Sequence, residues 1–248
     1  MRTNVRVRLR RKIHILNSQL LELGAQVEES VHLAVKAIDR RDAQMAAKVI
    51  DGDMEIDRKE VDLEEECLEI LALHQPVATD LRHIIAVLKI NKDLERAGDL
   101  AVNIAETALD ISGRLKMAVP RDYFVMAQQT QSMLKKSLDA FVNMSVETAY
   151  EVLAEDDEVD HKKHILHKQF EGRLLEEPGF IQPLIHLFLV SRHLERIADL
   201  ATNIAEEVIY MVTGEIIRHG KKTLAAAEGD PDQVNSVFLV KVPSGSKG

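Results

Sequence analysis

Apolar residues recur at helical spacing along almost the whole chain, three to four positions apart, with polar residues between them. The pattern predicts helices over 12–39, 43–73, 77–112, 121–144, 147–176 and 182–217. It is interrupted at 40–42, at His74-Gln75-Pro76, over 113–120, near Ser145 and at Pro178-Gly179. The second helix carries VDLEEECLEIL, the profile of a bundle helix with one exposed acidic face. The expected class is all-α.

Two stretches then impose a second period. Residues 94–106 read LERAGDLAVNIAE and residues 194–206 read LERIADLATNIAE, identical at ten of thirteen positions. A weaker match relates 49–57 (VIDGDMEID) to 152–160 (VLAEDDEVD), offset by 103. Each half thus has three helices in the same order, with related acidic stretches on its second and third. The simplest architecture is two similar three-helix bundles, over 1–113 and 120–218. The last segment, 219–248, loses the period and ends in PSGSKG, as a mobile tail does.

Composition narrows the functional classes. A 248-residue chain that is 46% hydrophobic can bury a sizeable core, and 11 Gly, 6 Pro and no Trp suit helices. A net charge of −9 argues against general nucleic-acid binding. The basic cluster Arg2, Arg6, Arg8, Arg10, Arg11 and Lys12 is expected to be a solvated chain start, with contact to anionic lipid or an acidic partner as the sharper reading. Cys67 is alone and shares a helical pattern with Ile56, Leu63 and Ile70, so a buried side chain is expected rather than a nucleophile. No apolar run approaches the roughly 20 residues of a membrane span, and no signal-peptide core follows the arginines. A reduced, cytoplasmic setting is expected.

The chemistry-bearing residues are carboxylates in pairs four apart: Asp53 and Asp57 with Glu95 and Asp99, then Asp156 and Asp160 with Glu195 and Asp199. That spacing puts both members of a pair on one helix face, a turn apart. Residues facing each other across an antiparallel hairpin have numbers with a constant sum. Pairing 57 with 95 and 53 with 99 puts the hairpin midpoint at Pro76; pairing 160 with 195 and 156 with 199 puts it beside Pro178. Both midpoints are predicted turns, so each half gathers four carboxylates at one height.

Solvation is the bland account of each acid taken singly. On the third helix Leu94, Ala97, Ala101, Ile104 and Ala108 form the apolar stripe, and Glu95, Asp99, Asn103 and Glu106 lie roughly opposite. Lys92 and Arg192 also offer simple ion pairs worth a few tenths of a kcal/mol. Four clustered carboxylates, however, repel by about 3 kcal/mol per pair at ~5 Å and an effective dielectric of ~20. Collecting them twice calls for a cation. Oxygen-only ligands suit Mg, Mn, Ca or a carboxylate-bridged iron cluster, in a shallow groove on the bundle surface.

Other signals are weaker. His161, His164 and His167 lie on one helix, with His164 a turn beyond Asp160, but Val61 and Glu64 hold the matching places in the first half, so a solvated face is expected. A nitrogen ligand from His164 would favour zinc or iron. Glu29-x-x-His32 has the spacing of di-iron bundles but occurs once. The sequence shows no glycine-rich phosphate loop, no Cys-x-x-Cys and no recognisable nucleophile.

The stretch DLRHIIAVLKINKDLERAGDLAVNIAE, its second copy SRHLERIADLATNIAEEVIY and the acidic segments before each turn resemble the PhoU family of phosphate-transport and phosphate-signalling regulators. The resemblance spans roughly 14–218, and the doubled E-R-x-x-D-L-A-x-N-I-A-E motif is highly specific. It implies duplicated three-helix bundles that bind multinuclear metal clusters, iron or zinc, at Asp53, Asp57, Glu95, Asp99, Asp156, Asp160, Glu195 and Asp199. Asn103, Glu106, Asn203, Glu206 and His164 are candidate accessory residues. It also implies a non-enzymatic adaptor that contacts the ATPase subunit of a phosphate ABC transporter and a sensor histidine kinase, keeping the phosphate-starvation response off. Such an adaptor would reach the membrane only through its partners, as a homodimer or a monomer. The rival reading is a carboxylate-bridged di-metal oxidase or hydrolase, which would need a sheltered pocket and histidines in register.

Overall fold

Six helices follow one another: α1 (Arg2–Arg40), α2 (Ala43–His74), α3 (Thr79–Ser112), α4 (Arg121–Asn143), α5 (Val146–Glu176) and α6 (Ile181–Thr213), with a 3-10 turn at Pro178–Phe180 leading into α6. The structure is a computed structural model and describes residues 2–112, 118–176 and 178–217. Among these there is no strand. The tail predicted over 219–248 lies outside the described residues.

The helix ends follow local chemistry. Asp42 caps α2 by accepting the N–H groups of Gln44 and Met45 at 2.9 and 3.0 Å. Ser145 Oγ accepts the Thr148 N–H at 3.2 Å and so starts α5. Gln75 and Met144 close α2 and α4 in the left-handed region, at φ 45° and 50°.

Three boundaries differ from the periodicity by more than one residue. The first helix begins at Arg2, not at 12, so the basic stretch is helical: Leu9 and Leu16 share a face and are buried, and arginine and lysine are good helix formers. The third begins at Thr79, because Pro76 and the positive φ of Ala78 keep the turn open two residues longer. The sixth ends at Thr213, where Gly214 (φ 79°) returns its N–H to the Tyr210 carbonyl at 2.8 Å.

Helices α1, α2 and α3 pack on one another, as do α4, α5 and α6, giving two three-helix bundles. α3 packs as closely on α6 as on its own bundle partners, and α1 touches α4. All six belong to one compact unit that ends at Ile216. The division of labour follows side-chain size and polarity. α3 buries seventeen residues and α6 fourteen, against seven on α2 and five on α5, so α3 and α6 are central and α2 and α5 flank them. The stripe Leu94, Ala97, Ala101, Ile104 and Ala108 is fully buried, as its spacing predicts.

Two contacts fix how the bundles sit together. Lys89 Nζ on α3 reaches Glu207 on α6 at 2.8 and 2.9 Å, and the Arg82 guanidinium lies against Gly214. Moving seven residues back along α3 therefore moves seven forward along α6, and the helices are antiparallel. In that register the turn bearing Glu95 and Asp99 lies level with the turn of α6 that bears Asp199. Both acid quartets thus sit near mid-height of the molecule.

Candidate functional site

Ile56 and Gly98 bring α2 and α3 together at the level of the first acids. Ile56 is buried, and a Cβ on Gly98 would stand 3.3 Å from its Cγ2 and 3.8 Å from Asp53 Oδ1. With the backbones this close, Asp53 and Asp57, one turn apart on α2, meet Asp99 across the hairpin. One carboxylate oxygen from each of the three lies within 4.8 Å of the other two. Two oxygens on one cation with bonds of about 2.0–2.6 Å are at most about 5 Å apart. The trio is thus close enough for its three carboxylates to be candidate ligands of one cation.

Glu95, half-buried beside them, belongs to the same electrostatic unit. Burial raises the Asp53 carboxyl above its usual range, and the charges of Asp57, Asp99 and Glu95 raise it further. Burial also raises Asp99, with Glu95 and Asp57 adding to it and Lys92 opposing. Lys92 Nζ lies 3.0 Å from Glu95 and 4.0 Å from Glu60, and its side chain is half exposed. Glu60 is buried, one turn beyond Asp57, and burial raises its carboxyl too. The first bundle thus presents carboxylates whose mutual repulsion is only partly relieved by the chain itself.

The second quartet is also one unit. Burial, then Glu195, Asp156 and Asp160, push the Asp199 carboxyl up to about 6, with Lys163 opposing. Lys163 distinguishes it. Its Nζ lies 2.7 Å from Glu195 on α6 and 3.0 Å from Asp160 on α5, and its side chain is only 15% exposed. Burial alone would lower this ammonium's pKa, but its hydrogen bonds to Glu195 and Asp160 and their charges leave it raised. Among the described residues this quartet offers no trio of ligand oxygens as close as that of the first.

The remaining candidates are dispersed. Asn103 is exposed and donates Nδ2 to the Asp99 carbonyl at 2.9 Å, and Glu106 is exposed a turn further on. Asn203 is exposed and Glu206 half-buried on the matching face of α6. His164 is exposed with Nδ1 3.2 Å from the Asp160 carbonyl of its own helix. His167 departs from the solvated face expected of it: it is half-buried, 3.2 Å from Ser191 Oγ and stacked on Phe188 at 4.2 Å, because α6 covers that side of α5. Glu29 and His32 line a groove of about 490 Å³ between α1 and α4, where His32 Nδ1 lies 3.1 Å from Gln131 Oε1. Cys67 is fully buried, and burial pushes its thiol up to about 12, so it is no nucleophile.

Glu60 and Lys163 are the residues that reading the acids alone overlooks. Extending the alignment of 49–57 with 152–160 by three positions would have exposed them: Glu60 and Lys163 are equivalent, and there the repeat reverses charge. Asp93 is also absent from the outward face. It is buried, its carboxyl pushed up to about 6 by burial, with Arg96 3.5 Å away opposing.

Fold and site together define a duplicated helical-bundle protein with an acidic cluster on the second and third helices of each half. The family model described as the PhoU domain matches twice, over residues 20–108 and 125–208, one match per bundle. The chain belongs to the PhoU family. It is 34% identical over 201 residues to a phosphate-specific transport system accessory protein PhoU homolog of Clostridium acetobutylicum, covering 81% of this chain and 92% of that one. Among solved structures it resembles PhoU from Pseudomonas aeruginosa, with a TM-score of 0.79 and 35% identity over 83% of this chain and 99% of that one. It also resembles the phosphate transport system regulatory protein PhoU from Streptococcus pneumoniae, with a TM-score of 0.78 and 29% identity over 85% and 99% of the two chains.

Proposed function

We propose that this chain is a cytoplasmic accessory regulator of phosphate transport that acts by protein contact and breaks no bond in a substrate. The observation that carries the reading is the match of both bundles to a family whose relatives are named for the phosphate-specific transport system. No helix among the described residues is long and apolar enough to cross a membrane, which suits a protein brought to a transporter by its partners. The partners proposed are the transporter's ATPase subunit and a sensor histidine kinase, with the starvation response held off when phosphate is plentiful.

The proposal includes a metal cation, iron or zinc, held by Asp53, Asp57 and Asp99 with Glu95 alongside. The closeness of the three oxygens supports it, together with the burial and the neighbouring acid charges that disfavour a charged, unpaired Asp53. The metal's part is to neutralise these acids and tie α2 to α3, so that the groove presents one fixed shape to a partner.

Affinity capture of the tagged full chain from phosphate-replete cells tests the partners. The transporter ATPase and the kinase should be enriched over an untagged control, and their absence from the captured fraction would overturn the assignment. For the metal, Asp53→Ala with Asp57→Ala should abolish metal binding in the first bundle, read by elemental analysis of protein purified without chelator. Unchanged metal content would show that the ligands lie elsewhere.

A further inference from the structure

We infer that the two carboxylate quartets are inequivalent: the first is open to a metal cation, and the second is closed by the chain's own ammonium, Lys163. The inference rests on the metal reading of the first quartet for one half of its content. The other half, an internal counter-cation in the second bundle, stands without it.

The repeat puts the two halves in one frame, so each difference has a defined counterpart. Lys163 on α5 occupies the place of Glu60 on α2, three residues beyond Asp160 and Asp57 respectively. In the second bundle this side chain bridges the hairpin, with one carboxylate from each helix on Nζ at 2.7 and 3.0 Å. An ammonium with three donors held between Asp160 and Glu195 does what a cation would do there: it neutralises charge and links α5 to α6. In the first bundle the same place adds another acid. The lysine beside the first quartet, Lys92, sits on the α3 side, half exposed, and its ion pairs among the described residues are with Glu95 and Glu60. Asp53, Asp57 and Asp99 therefore remain available as a trio.

A metal entering the second quartet must displace an ammonium from two carboxylates and leave it beside a divalent charge. Entry into the first displaces nothing from the trio. Repulsion between a cation and the ammonium at ~5 Å, even at an effective dielectric of ~20, is enough to weaken binding by more than tenfold.

The test uses the full chain stripped with chelator and titrated with Zn²⁺ and, separately, Mn²⁺, with stoichiometry from elemental analysis after desalting. Asp53→Asn with Asp57→Asn should remove the bound metal, and Asp156→Asn with Asp160→Asn should leave it unchanged. Lys163→Met, which keeps the aliphatic stem, should add binding in the second bundle that is lost again when Asp156→Asn and Asp160→Asn are added. Glu60→Lys should weaken the first site by at least about tenfold. Equal loss of metal from the two Asn pairs, or no gain in Lys163→Met, would overturn the inference.

A second arm needs no metal. In chelated protein at pH 7.5, Lys163→Met should lower the melting temperature, because it removes the ammonium that links Asp160 on α5 to Glu195 on α6. Lys92→Met should lower it less. A chelated Lys163→Met protein as stable as the unmutated chain would overturn the counter-cation. A chain that binds no metal but shows this loss would overturn the metal reading of the first quartet instead. Circular dichroism showing full helicity establishes that each variant is folded before either arm is read.

Discussion

Gly98 is the residue on which the first site's geometry turns. A methyl group there would stand 3.3 Å from Ile56 Cγ2, tighter than ordinary packing, and Ile56 is held between Asp53 and Asp57 on α2. At the equivalent places in the second bundle the volume is shared differently: Ala198 stands for Gly98 and Val159 for Ile56, both buried. Gly98→Ala should therefore separate α2 from α3 and lower stability, despite a gain in helix propensity of up to about 1 kcal/mol. Adding Ile56→Val should recover much of the loss, although Ile→Val alone costs about 0.5–1.5 kcal/mol. A double-mutant cycle by denaturant unfolding reads the coupling, expected at about 0.5 kcal/mol or more. Strictly additive effects would show that the two side chains do not compete for space. The acids themselves were legible because polarity and spacing mark them. The exchange of one methylene between Gly98–Ile56 and Ala198–Val159 is visible only after the repeats are aligned and the partners across the hairpin are known. Lys163 was overlooked for a related reason. A lysine on an acidic helix reads as a solvated face, and only the position of α6 shows it half-buried between two carboxylates.

At the scale of elements, helix type and order follow from periodicity, and the residual differences lie at helix ends. Caps decide those ends, and a cap such as the left-handed closure at Gly214 depends on one backbone conformation rather than on the stripe. How helices from different halves meet was not legible, since α3 is apolar on more than the side its own bundle needs. His83 marks one such junction. It lies on α3, donates Nε2–H to Asn17 Oδ1 on α1 at 2.7 Å, and packs 6.0 Å from the Phe141 ring of α4. Burial lowers its pKa below the usual histidine value, with Asp80 opposing. Above the unfolded value, about 6.5, both states are neutral there and the residue contributes no pH dependence. Below it the unfolded chain takes up a proton that the folded chain resists, so stability falls as pH drops toward the folded pKa. His83→Gln should remove that component. Between pH 7.5 and 5.5 the unmutated chain should lose more unfolding free energy than the variant, with the acids common to both cancelling. An equal pH dependence would mean that His83 takes up its proton without disturbing the junction.

At the scale of the whole molecule, the duplicated bundles are bound into one body by α3 and α6, which pack on each other as closely as on their own partners. Lys89 and Glu207 clamp that junction, and the buried Asp93 lies in the same stretch of α3. Such continuity should make the six helices one cooperative unit, so a cation at the proposed first site is expected to stabilise all of them. Mass action sets the size: at a free metal concentration one hundred times its Kd, the gain is about 2.7 kcal/mol. For a unit of this length that corresponds to a rise in Tm of roughly 5–11 °C. Calorimetry of the chelated chain should show a single transition, and Zn²⁺ should move the whole of it upward. In Asp53→Asn with Asp57→Asn the transition should stay single and should not move. A peak that splits on adding metal, with one part fixed, would show that the bundles unfold independently and that α3–α6 packing does not transmit the first site's occupancy. A single peak that shifts as a whole would mean that occupancy of the first site stabilises both bundles together.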